Sequence, residues 1–269
     1  MTGRQSGAVS AGQVIVDECH HLGAAAYEHS VKHIGAQFWL GLTATPTRRD
    51  GLGGIVSWQL GPIRHTVTQE DQSSLTAAWD AAGPRRFLYV HETDFHCDDV
   101  PDLATVHRAL VADEARNVQI VEDVVAALGR GRNCLVLTRR IAHLEVLADR
   151  LAQRGHKALV LQGGLSVTER RAIVSRVAEA NAGDGVLVIG TTPLIGEGFD
   201  APALDTLFLA GPISFDGLLI QCAGRVVRAA PGKDVAEVHD YHDRVVPIVA
   251  ASLARRMPGY RALGFTRCE

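Results

Sequence analysis

Three groups of residues have the types and spacing for chemistry. The first is the run Asp17-Glu18-Cys19-His20-His21, which follows the β-branched stretch Val14-Ile15-Val16. A carboxylate pair leaving a buried strand can hold a hydrated Mg²⁺ through one member, Asp17, while the other, Glu18, orients or deprotonates a water. The same letters also fit a metal-free strand end, with Asp17 capping a turn and Glu18 in solvent. A zinc hydrolase built on Asp17, Glu18, His20 and His21 is a third option, but H-E-x-x-H is absent and adjacent histidines diverge on most backbones. The second group is Gln221, Arg225 and Arg228, spaced i, i+4 and i+7, which puts them on one face if the segment is helical. Two guanidiniums and an amide in a row suit a phosphoryl group gaining charge, where an arginine finger is worth on the order of 10³–10⁵ in rate. They also fit an exposed basic helix in surface ion pairs. The third group is made of loops: Gly163-Gly164, Thr191-Thr192 and Gly196-Glu197-Gly198. Small residues let a backbone approach a phosphate closely, although a tight turn needs them too.

These residues need elements to hold them. Residues 13–66 carry two short apolar runs, "QVIVDE" and "FWLGLTATP", around a helical pattern at "AAAYEHSVKHIG", with a third candidate strand near "GPIRHTV". Short runs that are apolar throughout and stopped by polar residues are expected of buried parallel strands. Residues 67–104 are polar, acidic and turn-rich, which reads as a linker with one strand at "RFLYV". His91, His96 and Cys97 lie there without metal-ligand spacing. From 105 to 243 strands and helices alternate: a long helix "VHRALVADEARNVQIVEDVVAALGRG", then "NCLVLT", "IAHLEVLADRLAQRG", "KALVLQ", "VTERRAIVSRVAEAN", "GVLVIGTT", "TLFLAGP", "FDGLLIQCAGRVVRAA" and "AEVHDYHD". That rhythm predicts an α/β fold, a parallel sheet with helices on both faces, and chemistry in the loops at the carboxyl ends of the strands. Residues 244–269 read as a closing helix and tail.

Composition narrows the class. The 269 residues are 46% apolar and carry a formal charge of −3, so any nucleic-acid contact must be local rather than a global basic field. Five scattered cysteines without a C-x-x-C pair fit reduced thiols in the cytoplasm. No apolar run reaches the roughly 20 residues of a membrane span, so no membrane role is expected.

The order of motifs carries a resemblance. "DECH" (17–20) followed by "GLTATP" (41–46) resembles motifs II and III of the superfamily-two helicases and translocases, the RecA-like ATP-driven nucleic-acid motors. "CLVLTRR" (134–140), "LQGGLSVTERR" (161–171), "GTTPLIGEGFDAPALDTLFLA" (190–210) and "QCAGRVVR" (221–228) resemble the second-lobe motifs through V and VI, in order. "TRRDGLGG", "WQLGPIRH", "ADEARN" and "GYRALGF" look like a bacterial branch near repair translocases and restriction-enzyme motor subunits. Two positions depart from that branch: Val227 stands where a histidine is expected, and no arginine lies near Pro193.

The resemblance implies cofactors, partners and roles. ATP and Mg²⁺ are the cofactors, with Asp17 holding the metal through water and Glu18 as base. His20, Thr43, Thr45, Gly196, Glu197, Gly198 and Asp200 are implied in nucleotide binding or coupling. Gln221, Arg225 and Arg228 are implied in catalysis, with Arg228 as finger. Arg139, Arg140, Gly163, Gly164, Thr191 and Thr192 are implied in binding nucleic acid, DNA before RNA. The family's P-loop, G-x-x-x-x-G-K-[ST], is not found: "APGKD" at Lys233 has neither the spacing nor the hydroxyl, and only sixteen residues precede DECH. The expectation is therefore a truncated first lobe (1–66) with exposed apolar faces, a linker (67–104), a complete second lobe (105–243) and the tail. Little autonomous ATPase is expected, and three explanations compete for the P-loop half: a reading frame that starts further upstream, a decayed gene, or a second chain that supplies it. The alternative from another class is a non-hydrolytic module gripping nucleic acid or a partner through the second lobe.

Overall fold

The computed structural model describes residues 9–17, 19, 34–43, 53–67, 83–97, 102–192, 201–212, 222–224 and 226–268. The chain divides into two compact units, Met1–Thr68 and Gln69–Glu269.

In the first unit β1 (Val9–Val16) pairs in parallel with β2 (Ile34–Gly41), from Val9 opposite Ile34 to Val16 opposite Gly41. Helix α1 (Gly53–Leu60) packs its Val56 and Leu60 near Val14, Val16, Cys19 and Trp39. Gly41 is required by that packing: a Cβ there would lie 2.5 Å from Leu60 Cδ1 and 2.9 Å from Cys19 Sγ. Much apolar surface stays outside, with Ile15 60%, Phe38 61% and Trp58 85% exposed. The strand expected near "GPIRHTV" does not form. Residues 61–67 are exposed and pair with no strand, because without a neighbour to bury its apolar side chains this segment has no reason to extend.

The second unit is built on a seven-stranded sheet in the order β5-β6-β4-β7-β8-β3-β9, every pairing parallel. Its strands are β3 (Arg85–Glu92), β4 (Cys134–Thr138), β5 (Leu159–Leu161), β6 (Leu187–Thr191), β7 (Thr206–Leu209), β8 (Val235–His242) and β9 (Thr266–Cys268). The helices are α2 (Leu103–Ala112), α3 (Glu114–Gly129), α4 (Ile141–Gln153), α5 (Val167–Ala178) and α6 (Pro247–Ala262).

Strand β4 shows why both faces are covered. Its five residues are all buried, Cys134 and Val136 facing one core and Leu135 and Leu137 the other, the period-two alternation of a strand between two helical layers. Leu144, Leu147 and Leu151 of α4, with Ile120, Val121 and Val124 of α3, close the first face. Val177 of α5, Ala223, Val226 and Tyr260 of α6 close the second. At the amino end of the sheet Asn133 acts as a clasp. Its Nδ2 donates to the carbonyls of Asn181 at 2.8 Å and Ala203 at 3.0 Å, and its Oδ1 accepts from the Val186 N–H at 2.8 Å.

Several sequence expectations change here. The strand expected at "RFLYV" forms as β3, but it is an interior strand between β8 and β9 rather than part of a linker, with Arg85 opposite Val235 and Glu92 opposite His242. The tail also belongs to this layer, through α6 and β9. The single long helix expected from Val106 is two helices. Asp113 takes extended dihedrals between them (φ −71°, ψ 109°), and its carboxylate accepts from the Arg116 N–H, beginning α3 as an N-cap.

Candidate functional site

The loops implied in nucleic-acid binding come together at one edge. Strands β5, β6 and β4 are adjacent and end level, Leu161 opposite Gly190 and Thr138 opposite Thr191. Gly163 and Gly164 therefore follow one strand, Thr191 and Thr192 end or follow the next, and Arg139 and Arg140 follow the third. Both arginines and both glycines are exposed. Gly164 has φ +100°, a left-handed conformation that side-chain-bearing residues rarely adopt, and it sets up the turn into α5. That helix starts with a capping box: the Ser166 Oγ accepts from the Glu169 N–H and the Glu169 carboxylate accepts from the Ser166 N–H. Thr191 and Thr192 are buried, at 7% and 5% exposure, so they form the floor of the edge rather than its rim.

Beneath Arg139 lies a polar chain that sequence inspection did not single out. His143 Nδ1 is 2.9 Å from Thr138 Oγ1, and His143 Nε2 is 2.9 Å from Asn117 Oδ1. Asn117 Nδ2 donates to the Val111 carbonyl, so its Oδ1 is the acceptor. The imidazole is then neutral, with the proton on Nε2 and Nδ1 accepting from the Thr138 hydroxyl. Burial pushes the His143 pKa down to about 3, and the Arg116 charge pushes the same way. Arg116 itself is 2% exposed. Its Nε donates to Asp243 Oδ1 at 2.7 Å and its Nη1 to the Ala210 carbonyl at 2.7 Å, while the Thr93 hydroxyl donates to Asp243 at 2.7 Å. This one guanidinium ties α3 to the carboxyl ends of β7 and β8. The only hint in the sequence was "ADEARN"; its partner is 127 positions away.

In the first unit Asp17 directly follows β1 and is exposed, and Thr43 lies two residues after β2. They flank one backbone hydrogen bond, Leu42 N–H to the Val16 carbonyl at 2.9 Å, so the strand ends bring the two together. An exposed carboxylate at the carboxyl end of a parallel pair has the hard oxygen donors that Mg²⁺ takes. Arg228 corrects an expectation. Residues 222–224 and 226 are helical and the Val227 N–H still reaches the Ala223 carbonyl, but Arg228 sits in a bend beyond the helix and is exposed. It does not continue a helical face to i+7. Pro231 soon after disfavours continued helix. Glu18, His20, Thr45, Gly196, Glu197, Gly198, Asp200, Gln221 and Arg225 lie outside the described residues.

Lys233 is structural. It is 7% exposed, and its Nζ donates to the carbonyls of Pro202 at 2.9 Å and Leu204 at 2.6 Å. Burial lowers its pKa to about 8. Among the described residues no group of three His, Cys, Asp or Glu side chains is placed to hold a metal ion, and no helix is long and apolar enough to cross a membrane.

Comparison with known proteins gives two family models in chain order: "Type III restriction enzyme, res subunit" over residues 4–48 and "Helicase conserved C-terminal domain" over residues 116–230. A putative ATP-dependent RNA helicase of Acanthamoeba polyphaga mimivirus is 23% identical over 247 residues, covering 88% of this chain and 43% of the relative. A probable helicase of Escherichia phage T5 is 24% identical, covering 82% of this chain and 47% of the relative. The chain thus spans about half the length of the curated relatives it matches. Two solved structures share the fold. Phage T4 UvsW matches with a TM-score of 0.55 at 18% identity, over 95% of this chain and 53% of that one. The type ISP restriction-modification enzyme LlaBIII bound to DNA matches with a TM-score of 0.58 at 14% identity, over 93% of this chain and 20% of that one. The parallel RecA-like sheet, both family models in chain order and helicase relatives along most of its length together support a superfamily-two helicase, of which this chain spans a part.

Proposed function

We propose that this chain is part of an ATP-dependent DNA helicase or translocase, and that its second unit is the lobe that grips the nucleic-acid backbone. The observation that supports this best is the level ending of β5, β6 and β4, which lines up Gly163-Gly164, Thr191-Thr192 and Arg139-Arg140 along one edge. Exposed guanidiniums neutralise phosphates, and a left-handed glycine turn lets backbone N–H groups approach them. DNA is preferred over RNA in this reading because the motifs resemble the repair-translocase and restriction-subunit branch, in keeping with the restriction-subunit model matched over residues 4–48.

For ATP, Asp17 would hold Mg²⁺ through water, Glu18 would orient the attacking water, and Arg228, with Arg225 and Gln221, would meet the charge on the transferred phosphoryl group. His20, Thr43 and Thr45, together with Gly196, Glu197, Gly198 and Asp200, would report the nucleotide state. Bound Mg²⁺ supplies neutralisation of phosphate charge. The phosphate-cradling G-x-x-x-x-G-K-[ST] is not in this sequence. We propose that it comes from a further segment or a second chain, so that residues 1–269 alone hydrolyse little ATP.

The test is fluorescence anisotropy with labelled single-stranded DNA and RNA of equal length. DNA should bind more tightly, with affinity falling steeply as salt rises, by about 0.7 in logarithmic slope per phosphate contacted. Arg139→Ala with Arg140→Ala should weaken binding and flatten that slope. Absent or salt-insensitive binding counts against the reading. Robust ATP turnover by 1–269, abolished by Arg228→Ala, would overturn the need for another segment.

A further inference from the structure

A groove of about 380 Å³ in the second unit involves a segment with no role so far, helix α6. Its walls include His107 of α2, Arg139 after β4, Pro212 after β7, and Ile248, Ser252 and Arg255 of α6. Topology places a crevice there. The connection leaving β4 runs through α4 to β5 on one side, and the connection leaving β7 runs to β8 on the other. Where neighbouring parallel strands send their connections apart, a crevice opens outside their carboxyl ends, and ligands occupy it. The two strand ends are close: a Cβ on Gly211 would lie 3.4 Å from Thr138 Oγ1.

Helix α6 is held rigidly over this opening. Arg256 is buried and donates twice to Asp240, at 2.7 Å each, while the Tyr260 hydroxyl donates to the same carboxylate at 2.8 Å. With Arg256 fixed inward, the stripe Ile248, Ala251, Ser252 and Arg255, at i, i+3, i+4 and i+7, lines the groove. Among the described residues neither Arg139 nor Arg255 has an ion-pair partner, and no acidic side chain lines the groove. The positive charge is felt within it: burial lowers the His107 pKa first, and Arg139, Arg140 and Arg116 lower it further. Two guanidiniums lining a groove that, among the described residues, carries no acidic side chain fit an anion. The apolar wall from Ile248 and Pro212 fits the sugar beside it.

We propose that this groove seats one phosphodiester of the bound strand between Arg139 and Arg255, making α6 a nucleic-acid contact surface. The inference rests on the nucleic-acid reading above. It adds Arg255, which no motif contains, as a binding residue.

The test is anisotropy with labelled oligo-dT across a salt series, comparing the full chain with Arg255→Ala, Arg139→Ala and, as a control for charge, Arg261→Ala on the same helix. Arg255 is exposed, so its loss leaves the fold intact. Arg255→Ala should weaken binding about tenfold at low salt and lower the salt slope by about 0.7, one phosphate contact on a single strand. Arg261→Ala should do neither. If Arg255→Ala matches Arg261→Ala while Arg139→Ala still weakens binding, the groove assignment falls and the wider reading stands. If the full chain binds no strand, the wider reading falls with it. Free phosphate gives the second arm. Saturable perturbation of the Arg255 side-chain NMR signal by millimolar inorganic phosphate, with an unchanged oligo-dT salt slope in Arg255→Ala, would make this a small-anion site and overturn the proposal.

Discussion

Lowering the pH from 7 to 5 should destabilise the second unit through His143. The imidazole is 2% exposed and held neutral between the Thr138 hydroxyl and the Asn117 carbonyl oxygen. Its pKa is lowered from 6.5 to about 3, burial being the first cause. Between those values the unfolded chain binds a proton that the folded chain refuses, so stability rises with pH there and is lost as pH falls below 6.5. With these two pKa values the loss from pH 7 to pH 5 is about 2 kcal/mol. For a urea slope near 2 kcal/mol/M that lowers the midpoint by about 1 M. The assay is urea unfolding followed by far-ultraviolet circular dichroism at both pH values, in the wild type and in His143→Gln. Glutamine can donate to Asn117 and accept from Thr138 but does not titrate. His91 and His107 also have lowered pKa values, so the variant keeps part of the pH dependence. The difference between the two proteins isolates His143. Equal pH dependence in both, or an NMR titration placing His143 near 6.5, would refute the reasoning.

Two further outcomes follow from buried geometry. Arg116→Ala leaves Asp243 charged and buried, and should cost the second unit about 3–5 kcal/mol in urea unfolding; pairing it with Asp243→Leu should recover much of the loss, since the penalty is the orphaned carboxylate. Gly41→Ala drives a methyl group into Leu60 and Cys19, and should destabilise the first unit by about 1–3 kcal/mol. Trp39 and Trp58 fluorescence, read in a Trp79→Phe background because Trp79 belongs to the second unit, reports that unit, and shortening Leu60 to Ala in the same chain should restore part of the signal.

The sequence by itself determined the parallel α/β class, the alternation of strands and helices from 134 onward, and the strand ends at which Arg139, Gly163 and Thr191 fall. Those are local signals: a buried strand such as "CLVLT" is apolar at every position because both its faces are covered, and its polar neighbours mark where burial stops. The interior position of β3 was not legible. "RRFLYVHE" sits in an acidic, turn-rich neighbourhood, and its partner β8 lies about 150 residues away. The break at Asp113 overrode a helical pattern because one carboxylate found a closer N–H. Arg228 fell beyond its helix because periodicity says nothing of where a helix stops. The Arg116–Asp243 tie, the His143 chain and the α6 groove were decided by tertiary structure alone. Each joins side chains from separate elements, and the energy of a buried charge or hydrogen bond depends on what surrounds it in space rather than on its neighbours along the chain.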